Sequence, residues 1–454
     1  MPTNPRHSRT TIHPSEVAFR RWYPAIAVLA TGYLTWLFIY HVDQLSIPLW
    51  RIPVIMISFA WLVITIVAAH FNRPTRGRIP QLPVAVLIPS RNEDVAMLWE
   101  MFRSLDRQSV LPTVVLFIEN GDSNGEAEGV FKAWSKATHI KHVHFMRRPE
   151  KGKRSAQVVG VDWLREKYPN LQVLCTVDGD TRLDDVAIAE ALKAFNDPNV
   201  TSVAGLLVGQ NYRANLLTRI VNLGFVSSFM NGRAAWSTFN SVAVNCGGLA
   251  FYRMWVVLKH LDEYGTQQLF GKEVNSGDDR MLTAFSALEG DTVFQHTSVG
   301  YTLLPVNLSH LTRQRGRWWR SFWWGGIWGL RRFNPNQAIW WLLLSQYVTF
   351  VLYAVMFPLV LLVDPIVNSK IPWVFFVYIA GLSYLRSART LMVKRPDQST
   401  ANQVVEYLLL SPWVTLANLW LCTVLQWWGL FTFWKTGWMT RDKVEVGIQT
   451  EAAR

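Results

Sequence analysis

Cysteine and charge are both scarce in this chain of 454 residues. Its three cysteines, Cys175, Cys246 and Cys422, lack the spacing of a metal cluster and are too few for a disulfide framework. This usage predicts a reducing compartment for the soluble part. Only 17% of the residues are charged, and 32 acidic residues face 45 basic ones, which gives a formal net charge of +13. Internal repeats and low-complexity segments are absent, which excludes a repeat architecture.

Tryptophan and apolar runs are abundant instead. Half of the residues are hydrophobic and 23 are tryptophan, a residue that favours the interface between bilayer and water. The basic residues are scattered around the apolar runs, which predicts cytoplasmic loops and a lipid-bilayer partner and argues against nucleic-acid binding. A positive charge also suits an anionic substrate such as a nucleotide sugar.

The apolar runs predict a multi-pass protein of the plasma membrane. We expect a cytoplasmic tail at 1–22, two transmembrane helices within 23–70, further transmembrane helices within 338–434 and a second cytoplasmic tail at 435–454. The run at 404–434 is too long for one straight span. Pro412 and Asn418 are therefore expected to break it into two short passes or a re-entrant hairpin.

Between these runs, residues 82–310 have the composition of a globular α/β domain with its catalytic side in the cytoplasm. Strands are predicted at 83–89, 114–118, 143–145 and 173–177, with helices at 95–106 and 155–167 between them. This alternation predicts a mostly parallel sheet covered by helices on both faces, with ligands at the carboxyl ends of the strands. The polar residues that follow such ends are Arg91, Glu93, Glu119, Asp122, Asp178 and Asp180.

Asp178-Gly179-Asp180, here called the DGD motif, follows a predicted buried strand. Two carboxylates at one strand end repel each other and favour a hard divalent cation, Mg²⁺ or Mn²⁺, which would bridge them to a diphosphate. An ordinary turn would use the same residue types. The second acidic cluster downstream favours the metal site.

Gly277-Asp278-Asp279, here called the GDD motif, precedes a helix predicted at 281–288. Carboxylates at a helix start are often caps, and this alternative stays open for Asp278. Asp279 has a sharper interpretation, because the transfer of a group to a hydroxyl acceptor needs a base that takes the proton of that hydroxyl.

Two further segments are candidates for ligand contact. Lys151-Gly152-Lys153-Arg154 is a basic turn that opens a helix and suits phosphate, although a solvated charge run would look the same. The segment 246–251 contains Gly247 and Gly248, which allow a close backbone approach to a ligand or simply form a tight turn.

Residues 311–333 are rich in Trp and Arg and predict a helix that lies in the membrane interface. Gln314, Arg317 and Trp318 form a Q-x-x-R-W motif, here the QxxRW motif, and share one helix face. Arg317 is suited to hold a diphosphate and Trp318 to stack on a sugar ring. The alternative is an aromatic-basic anchor, and Trp319, Trp323, Trp324 and Trp328 are open to that interpretation.

Together these motifs resemble those of the processive, membrane-integrated family 2 glycosyltransferases, the group of hyaluronan, chitin-oligosaccharide and cellulose synthases. The resemblance covers about 82–330 and rests on 88–93, on 152–154, and on the DGD, GDD and QxxRW motifs. Residues 438–441 are similar to the W-G-T-R ending of hyaluronan synthases, with Met439 in place of the glycine.

The resemblance implies an α/β GT-A (Rossmann-like) cytosolic domain inserted between transmembrane α-helices, with an amphipathic interface helix. It implies inverting transfer from a UDP-sugar donor to a growing polysaccharide acceptor, with Mg²⁺ or Mn²⁺ as the cofactor. Asp279 would be the general base. Other roles follow from the matched motifs: Asp180 and Asp178 at the metal, Arg91, Glu93 and Glu119 near the uridine, Lys153 and Arg154 near the phosphates, Gln314 and Arg317 over the UDP, Trp318 at the acceptor, and Gly248 and Asp278 at the substrate.

Two other functions remain open at this point. A non-processive transferase that moves one sugar to a lipid-linked acceptor would need the DGD motif but not the QxxRW motif. A transporter or scaffold without enzymatic activity would explain the apolar runs and the charge, but not three motifs at strand ends. Ionisable residues within the spans would favour transport, and the runs contain almost none.

Overall fold

The computed structural model describes residues 11–12, 16–41, 51–121, 125–149, 151–368 and 373–435. Several predictions concern residues outside these ranges: most of the two terminal tails, Asp122, and the 438–441 ending.

The strands range in length from 2 to 12 residues. In chain order they are β1 Thr11–Ile12, β2 Val84–Ser90, β3 Val114–Asn120, β4 Val143–Arg148, β5 Val173–Thr176, β6 Arg182–Leu183, β7 Val200–Gly209, β8 Ala250–Arg253, β9 Gln268–Leu269, β10 Lys272–Glu273, β11 Asp291–Thr302 and β12 Val393–Lys394.

The helices alternate with the strands in the middle of the chain and follow one another at both ends. In chain order they are α1 Glu16–Tyr40, α2 Arg51–Phe71, α3 Val95–Asp106, α4 Glu126–Ser135, α5 Lys153–Lys167, α6 Ala187–Ala194, α7 Leu216–Ser227, α8 Ala234–Thr238, α9 Met254–Lys259, α10 Leu261–Thr266, α11 Asp278–Glu289, α12 Leu308–Arg332, α13 Ala338–Pro358, α14 Asp364–Asn368, α15 Trp373–Ser387 and α16 Thr400–Leu430. Ser228–Arg233 and Leu359–Val363 are π-helical, and Ala388–Met392 is a 3₁₀ turn.

Eight of the described strands form one sheet in the order β4-β3-β2-β5-β8-β7-β11-β6. The first four are parallel, as predicted, but β8 runs antiparallel to both β5 and β7, and β6 runs antiparallel to β11. The sheet is therefore mixed but mostly parallel, as predicted, because β7 and β11 run in the same direction as the first four strands and only β8 and β6 run against them. Because Thr176 at the end of β5 pairs with Ala250 at the start of β8, the loop before β8 lies at the same sheet edge as the DGD motif.

Apolar side chains cover both faces of this sheet. On one face, α3 and α4 pack Phe102, Phe131 and Trp134 against β2 and β3. On the other face, α5 and α11 contribute Leu164 and Phe285. The α3 helix has the predicted bounds because Asp94 caps it, accepting hydrogen bonds from the backbone N–H groups of the next turn. The sheet with helices on both faces is a Rossmann-like α/β fold.

The α12 helix contains the QxxRW motif and is buried against protein along much of its length. Trp323 and Trp324 are almost inaccessible. Trp323 contacts Phe350 of α13, and its indole N–H donates to the carbonyl oxygen of Gln426 in α16 at 3.0 Å. The interpretation of these two tryptophans as membrane anchors is therefore wrong, because their rings fill the contacts between α12 and its neighbouring helices.

The α16 helix is continuous through Pro412, so the predicted break in this segment is wrong. Proline has no N–H and leaves the carbonyl oxygen of Leu408, four residues earlier, without its helical donor. The hydroxyl of Tyr384 in α15 donates to that oxygen at 2.6 Å. A neighbouring helix thus satisfies the group that proline frees, and the helix continues.

Among the described residues, one helical stretch, Ala338–Met356, is long and apolar enough to cross a membrane. Shorter apolar helical stretches lie at Ala25–Leu37 and Ala60–Phe71. The multi-pass arrangement therefore stays a prediction.

The Tyr384 hydroxyl gives a test of how α16 tolerates its proline. We expect Tyr384→Phe to lower the free energy of unfolding by about 1 kcal/mol, because the Leu408 carbonyl loses its donor. Pro412→Ala restores the backbone N–H, so in that background Tyr384→Phe should cost nothing. Thermal and denaturant unfolding of the four proteins in detergent measures the difference. An equal cost in both backgrounds would contradict this explanation.

Candidate active site

One lysine joins the two acidic motifs. The Lys153 ammonium lies 2.6 Å from Asp178 Oδ1 and 3.0 Å from Asp278 Oδ2. Gln157 Nε2, one helical turn further along α5, donates to the same Asp278 oxygen at 3.3 Å. Residues that lie about 100 positions apart thus meet at the carboxyl edge of the sheet. Lys153 is almost completely buried, so the interpretation of 151–154 as a solvated charge run is wrong for this residue.

Two glycines let the backbone approach this junction closely. A Cβ atom on Gly179 would lie 2.8 Å from Glu93 Cγ, so Glu93 packs directly against the DGD motif. A Cβ atom on Gly247 would lie 2.9 Å from the Lys153 ammonium, whereas the neighbours of Gly248 are Leu207 and Thr181. The glycine that faces the carboxylates is therefore Gly247, and the role of Gly248 at the substrate stays a prediction.

Arg154 differs from the expectation of phosphate contact. Its guanidinium is buried and donates to the Ser276 carbonyl oxygen at 3.2 Å and to Gln267 Oε1 at 2.8 Å. It also stacks on the ring of Tyr264, at 4.7 Å, and approaches Trp324 at 5.7 Å. Arg154 thus holds the backbone just before the GDD motif and ties it to α12.

The two carboxylates of the GDD motif lie in the first turn of α11, and their pKa values are shifted in opposite directions. Burial, and then the charge of Asp278, raise the pKa of Asp279. Burial alone would also raise the pKa of Asp278, but the charge and hydrogen bond of Lys153, and then the charge of Arg154, hold it below the usual value. A neighbouring pair whose pKa values are driven apart supplies one carboxylate with raised proton affinity beside one that stays ionised.

Asp278 is not the N-cap residue of α11, so the alternative that it serves as a helix cap is wrong. The N-cap of α11 is Gly277, which adopts a positive φ of 68° and makes no side-chain cap. Asp279 Oδ1 accepts a hydrogen bond from the backbone N–H of Arg280 at 2.8 Å. Both carboxylates benefit from the helix dipole, and Asp278 uses its side chain for Lys153.

The α12 helix packs directly on the GDD motif. A Cβ atom on Gly277 would lie 2.8 Å from Ser321 Cβ and 3.0 Å from Trp324. The Ser321 hydroxyl donates to the carbonyl oxygen of Trp318, so the QxxRW motif begins one turn from this contact. The Trp318 ring contacts the Arg315 guanidinium, at 4.5 Å, and stacks on Phe225 of α7, at 6.4 Å. Half-buried Gln314 and Arg317 lie on the same helix.

The remaining predicted residues lie at neighbouring strand ends. Arg91 directly follows β2. Glu119, near the end of β3, is buried and pairs with Arg147 at 3.0 Å through Oε2. Its Oε1 atom is buried and has no hydrogen-bond partner among the described residues. The role of Glu119 near the uridine stays a prediction.

Two carboxylates, Asp178 and Asp180, could hold a divalent cation. No group of three or more His, Cys, Asp or Glu side chains forms a ready metal site in the described ranges. Magnesium-type ions commonly take one or two carboxylates and complete their shell with substrate phosphates and water. The DGD motif therefore fits such an ion in the presence of a diphosphate.

Two arginines beside Asp279 escaped the sequence analysis. Burial lowers the pKa of Arg233, and the charge of Asp279 acts against that shift. Arg233 lies on the ring of Phe229 at 3.9 Å, in the π-helical stretch that follows α7. Arg280 packs against Gly325, where a Cβ atom would lie 2.6 Å from its Cδ. Arg280 adjoins the GDD motif and could have been found from that position, whereas nothing local marks Arg233.

Removing the Lys153 ammonium should destabilise the protein strongly. Lys153→Met leaves Asp178 and Asp278 facing each other without compensation, and we expect a loss of about 3 kcal/mol in the free energy of unfolding. Asp278→Asn in the same chain should restore part of that loss, because one of the two charges is gone. Thermal unfolding measures both effects, and Lys167→Met, which breaks an exposed pair with Glu166, is the control with little expected change. A small loss in Lys153→Met, or no recovery in the double variant, would contradict the bridging role.

Comparison with known proteins gives the family. The family model described as glycosyl transferase family 2 matches residues 85–261, which include β2 to β8 and the DGD motif. Among solved structures, a mannosyltransferase from Pyrobaculum calidifontis in complex with GDP-Man and Mn²⁺ is 15% identical, with a TM-score of 0.49, and the match covers 92% of this chain and 100% of that one.

Curated relatives match over most of their length. A hyaluronan synthase of Streptococcus pyogenes is 31% identical over 396 residues, which are 86% of this chain and 91% of the relative. An N-acetylglucosaminyltransferase of Azorhizobium caulinodans is 27% identical over 376 residues, which are 80% and 89% of the two chains. This chain is therefore a glycosyltransferase and belongs to family 2, with the hyaluronan synthases among its relatives.

Proposed function

We propose that this glycosyltransferase is a processive, inverting enzyme of the plasma membrane. It polymerises one or two UDP-activated sugars into an extracellular polysaccharide, in the manner of a hyaluronan synthase, and passes the product through its own membrane helices. The observation that carries the proposal is the convergence of three motifs: Lys153 bridges DGD to GDD, and Gly277 of GDD packs against the helix that contains QxxRW.

Asp279 is the proposed general base. The raised pKa of its carboxyl favours proton uptake, so Asp279 takes the proton of the acceptor hydroxyl as that oxygen attacks the anomeric carbon. Attack from the face opposite the UDP inverts the anomeric configuration. Asp278, held ionised by Lys153, stays an acceptor of hydrogen bonds and does not compete for the proton.

The donor occupies the sheet edge in this proposal. Glu93, which packs against the DGD motif, and Glu119, whose buried Oε1 atom has no hydrogen-bond partner among the described residues, would hold the base and ribose of a uridine. Lys153, with Gln314 and Arg317 from α12, would face the diphosphate. Asp178 and Asp180 would hold Mg²⁺ or Mn²⁺, which neutralises charge on the departing UDP. Binding of the donor would then compete with Asp178 for the Lys153 ammonium.

The acceptor sugar would lie between Asp279 and Trp318. An indole ring offers a flat apolar face for a pyranose, and Trp318 is already held in place by Phe225 and Arg315. The α12 helix leads directly into α13, the described helix that is apolar and long enough to cross a membrane. The catalytic domain is proposed to face the cytoplasm, since exposed Arg73, Arg76 and Arg78 follow α2.

The proposal is tested by supplying purified protein with single and paired radiolabelled UDP-sugars in the presence of Mg²⁺ or Mn²⁺. We expect a polymer from the wild-type protein and none from Asp279→Asn, with UDP binding by the variant unchanged because the carboxylate acts on the acceptor. Calorimetric titration with UDP checks the binding. Unchanged incorporation by Asp279→Asn would reject the assignment of the base, and no incorporation by the wild type from any UDP-sugar would reject the proposed function.

Processivity has a separate test at Trp318. We expect Trp318→Ala to shorten the product severely while UDP binding stays within about twofold, since the ring is proposed to hold the acceptor and not the donor. Trp318→Phe keeps an aromatic face and should retain longer products. Gel filtration of the labelled product gives its length. Equal losses of UDP binding and product length in Trp318→Ala would argue against an acceptor role.

A further inference from the structure

An apolar cavity lies outside the candidate active site, between α2, α8 and α13. Its volume is about 270 Å³, near the lower limit of small-ligand sites. The lining includes Trp61, Ile64 and Ala68 of α2, Trp236 of α8, and Trp341 and Leu342 of α13. Ile64 is 50% exposed and Trp341 59% exposed, so the cavity is open on the side of these residues.

Two polar groups of the lining already have partners within the protein. The hydroxyl of Thr65 donates to the Trp61 carbonyl oxygen at 2.8 Å, and the indole N–H of Trp341 donates to the Pro335 carbonyl oxygen at 2.8 Å. The described lining residues therefore offer their apolar surfaces to an occupant. Such a lining excludes a sugar or a nucleotide, whose hydroxyl groups would lose their hydrogen bonds to water.

Exposed arginines follow α2 and precede α13 in the chain, next to the ends of these helices that line the cavity. Arg73 and Arg76 follow α2, which ends at Phe71, and Arg331 lies in the last turn of α12, shortly before α13 begins. Along α2, the distance from Ala68 or Ile64 to the end of the helix is about 5–10 Å at 1.5 Å per residue. An apolar cavity with cations one or two turns beyond it matches the layout of a phospholipid, with its acyl chain inside and its phosphate at the arginines.

We propose that this cavity binds one acyl chain of an anionic phospholipid whose headgroup is held by Arg73 and Arg331. The inference rests on the proposed membrane location of the enzyme. In the chain, α2 precedes the catalytic domain and α13 follows it. The lipid would fill the gap between these two helices and so would hold them against α8 of that domain.

The test compares two substitutions on one face of α2. Ile64→Trp fills the cavity, and Ile57→Trp adds the same side chain about two turns away, at an equally exposed position that does not line it. Both full-length variants and the wild type are reconstituted in vesicles of equal parts phosphatidylglycerol and phosphatidylcholine with identical acyl chains. After extraction into mild detergent, native mass spectrometry measures the retained lipid, and thermal unfolding confirms that the variants are folded.

We expect the wild type and Ile57→Trp to retain phosphatidylglycerol in preference to phosphatidylcholine, and Ile64→Trp to lose it. Arg73→Gln combined with Arg331→Gln should abolish the preference between the two lipids. Equal retention in all three proteins, or no preference for phosphatidylglycerol in the wild type, would overturn the proposal. Sugar incorporation is measured on the same samples: intact incorporation without specific lipid retention rejects the lipid site alone, whereas a wild type without incorporation rejects the proposed function.

Discussion

The candidate active site depends on one buried cation between two carboxylates. Asp178 belongs to the loop after β5. Asp278 begins α11, which comes after β7 and β8 in the chain. Two ionised carboxylates brought together would repel each other and one would protonate. The Lys153 ammonium, within 3.0 Å of both, removes that repulsion and lets Asp278 remain ionised. The adjacent Asp279 is left as the carboxyl group with raised proton affinity.

The α12 helix supports this arrangement from the opposite side. It approaches the GDD motif through Ser321, receives Arg280 against Gly325, and receives Tyr347 of α13 against Gly326. The Tyr347 hydroxyl donates to the carbonyl oxygens of Phe322 and Trp323. Small residues at these points allow close packing, so a displacement of α13 would be transmitted through α12 to the first turn of α11. Under the proposed function, this contact would couple the site of transfer to the apolar helix α13.

The α16 helix completes the support. Trp319 of α12 lies against Gly429, where a Cβ atom would be 2.7 Å away, and Arg320 donates to the Thr432 hydroxyl at 3.2 Å. Near its middle, Val414 contacts Gly224 of α7. The continuous α16 helix therefore contacts both α12, which contains Trp318, and α7, which contributes the Phe225 ring that stacks on Trp318. A break at Pro412 would separate these two contacts, which explains why the donation from Tyr384 to Leu408 matters for the site as well as for the helix.

Much of the local structure follows from short stretches of sequence. The helix at 95–106 is specified by its Asp94 cap and apolar face, and the buried strands β2, β3 and β5 by continuous apolar runs bounded by polar residues. The acidic motifs could also be recognised locally, because metal binding and proton transfer need carboxylates. The comparisons confirm the family that the motifs suggested.

Other features could not be predicted because they depend on partners distant in sequence. Arg154 turns inward because the Ser276 carbonyl oxygen and the Tyr264 ring are there to receive it, and Gly247 faces the carboxylates because β8 runs antiparallel to β5. Trp323 is buried by α13 and α16 rather than by lipid. The sequence by itself determined the elements and the chemical groups, since propensity, capping and residue chemistry act over a few positions. Only the tertiary structure decided which groups meet, because burial and electrostatic compensation are properties of the space between elements and not of any one of them.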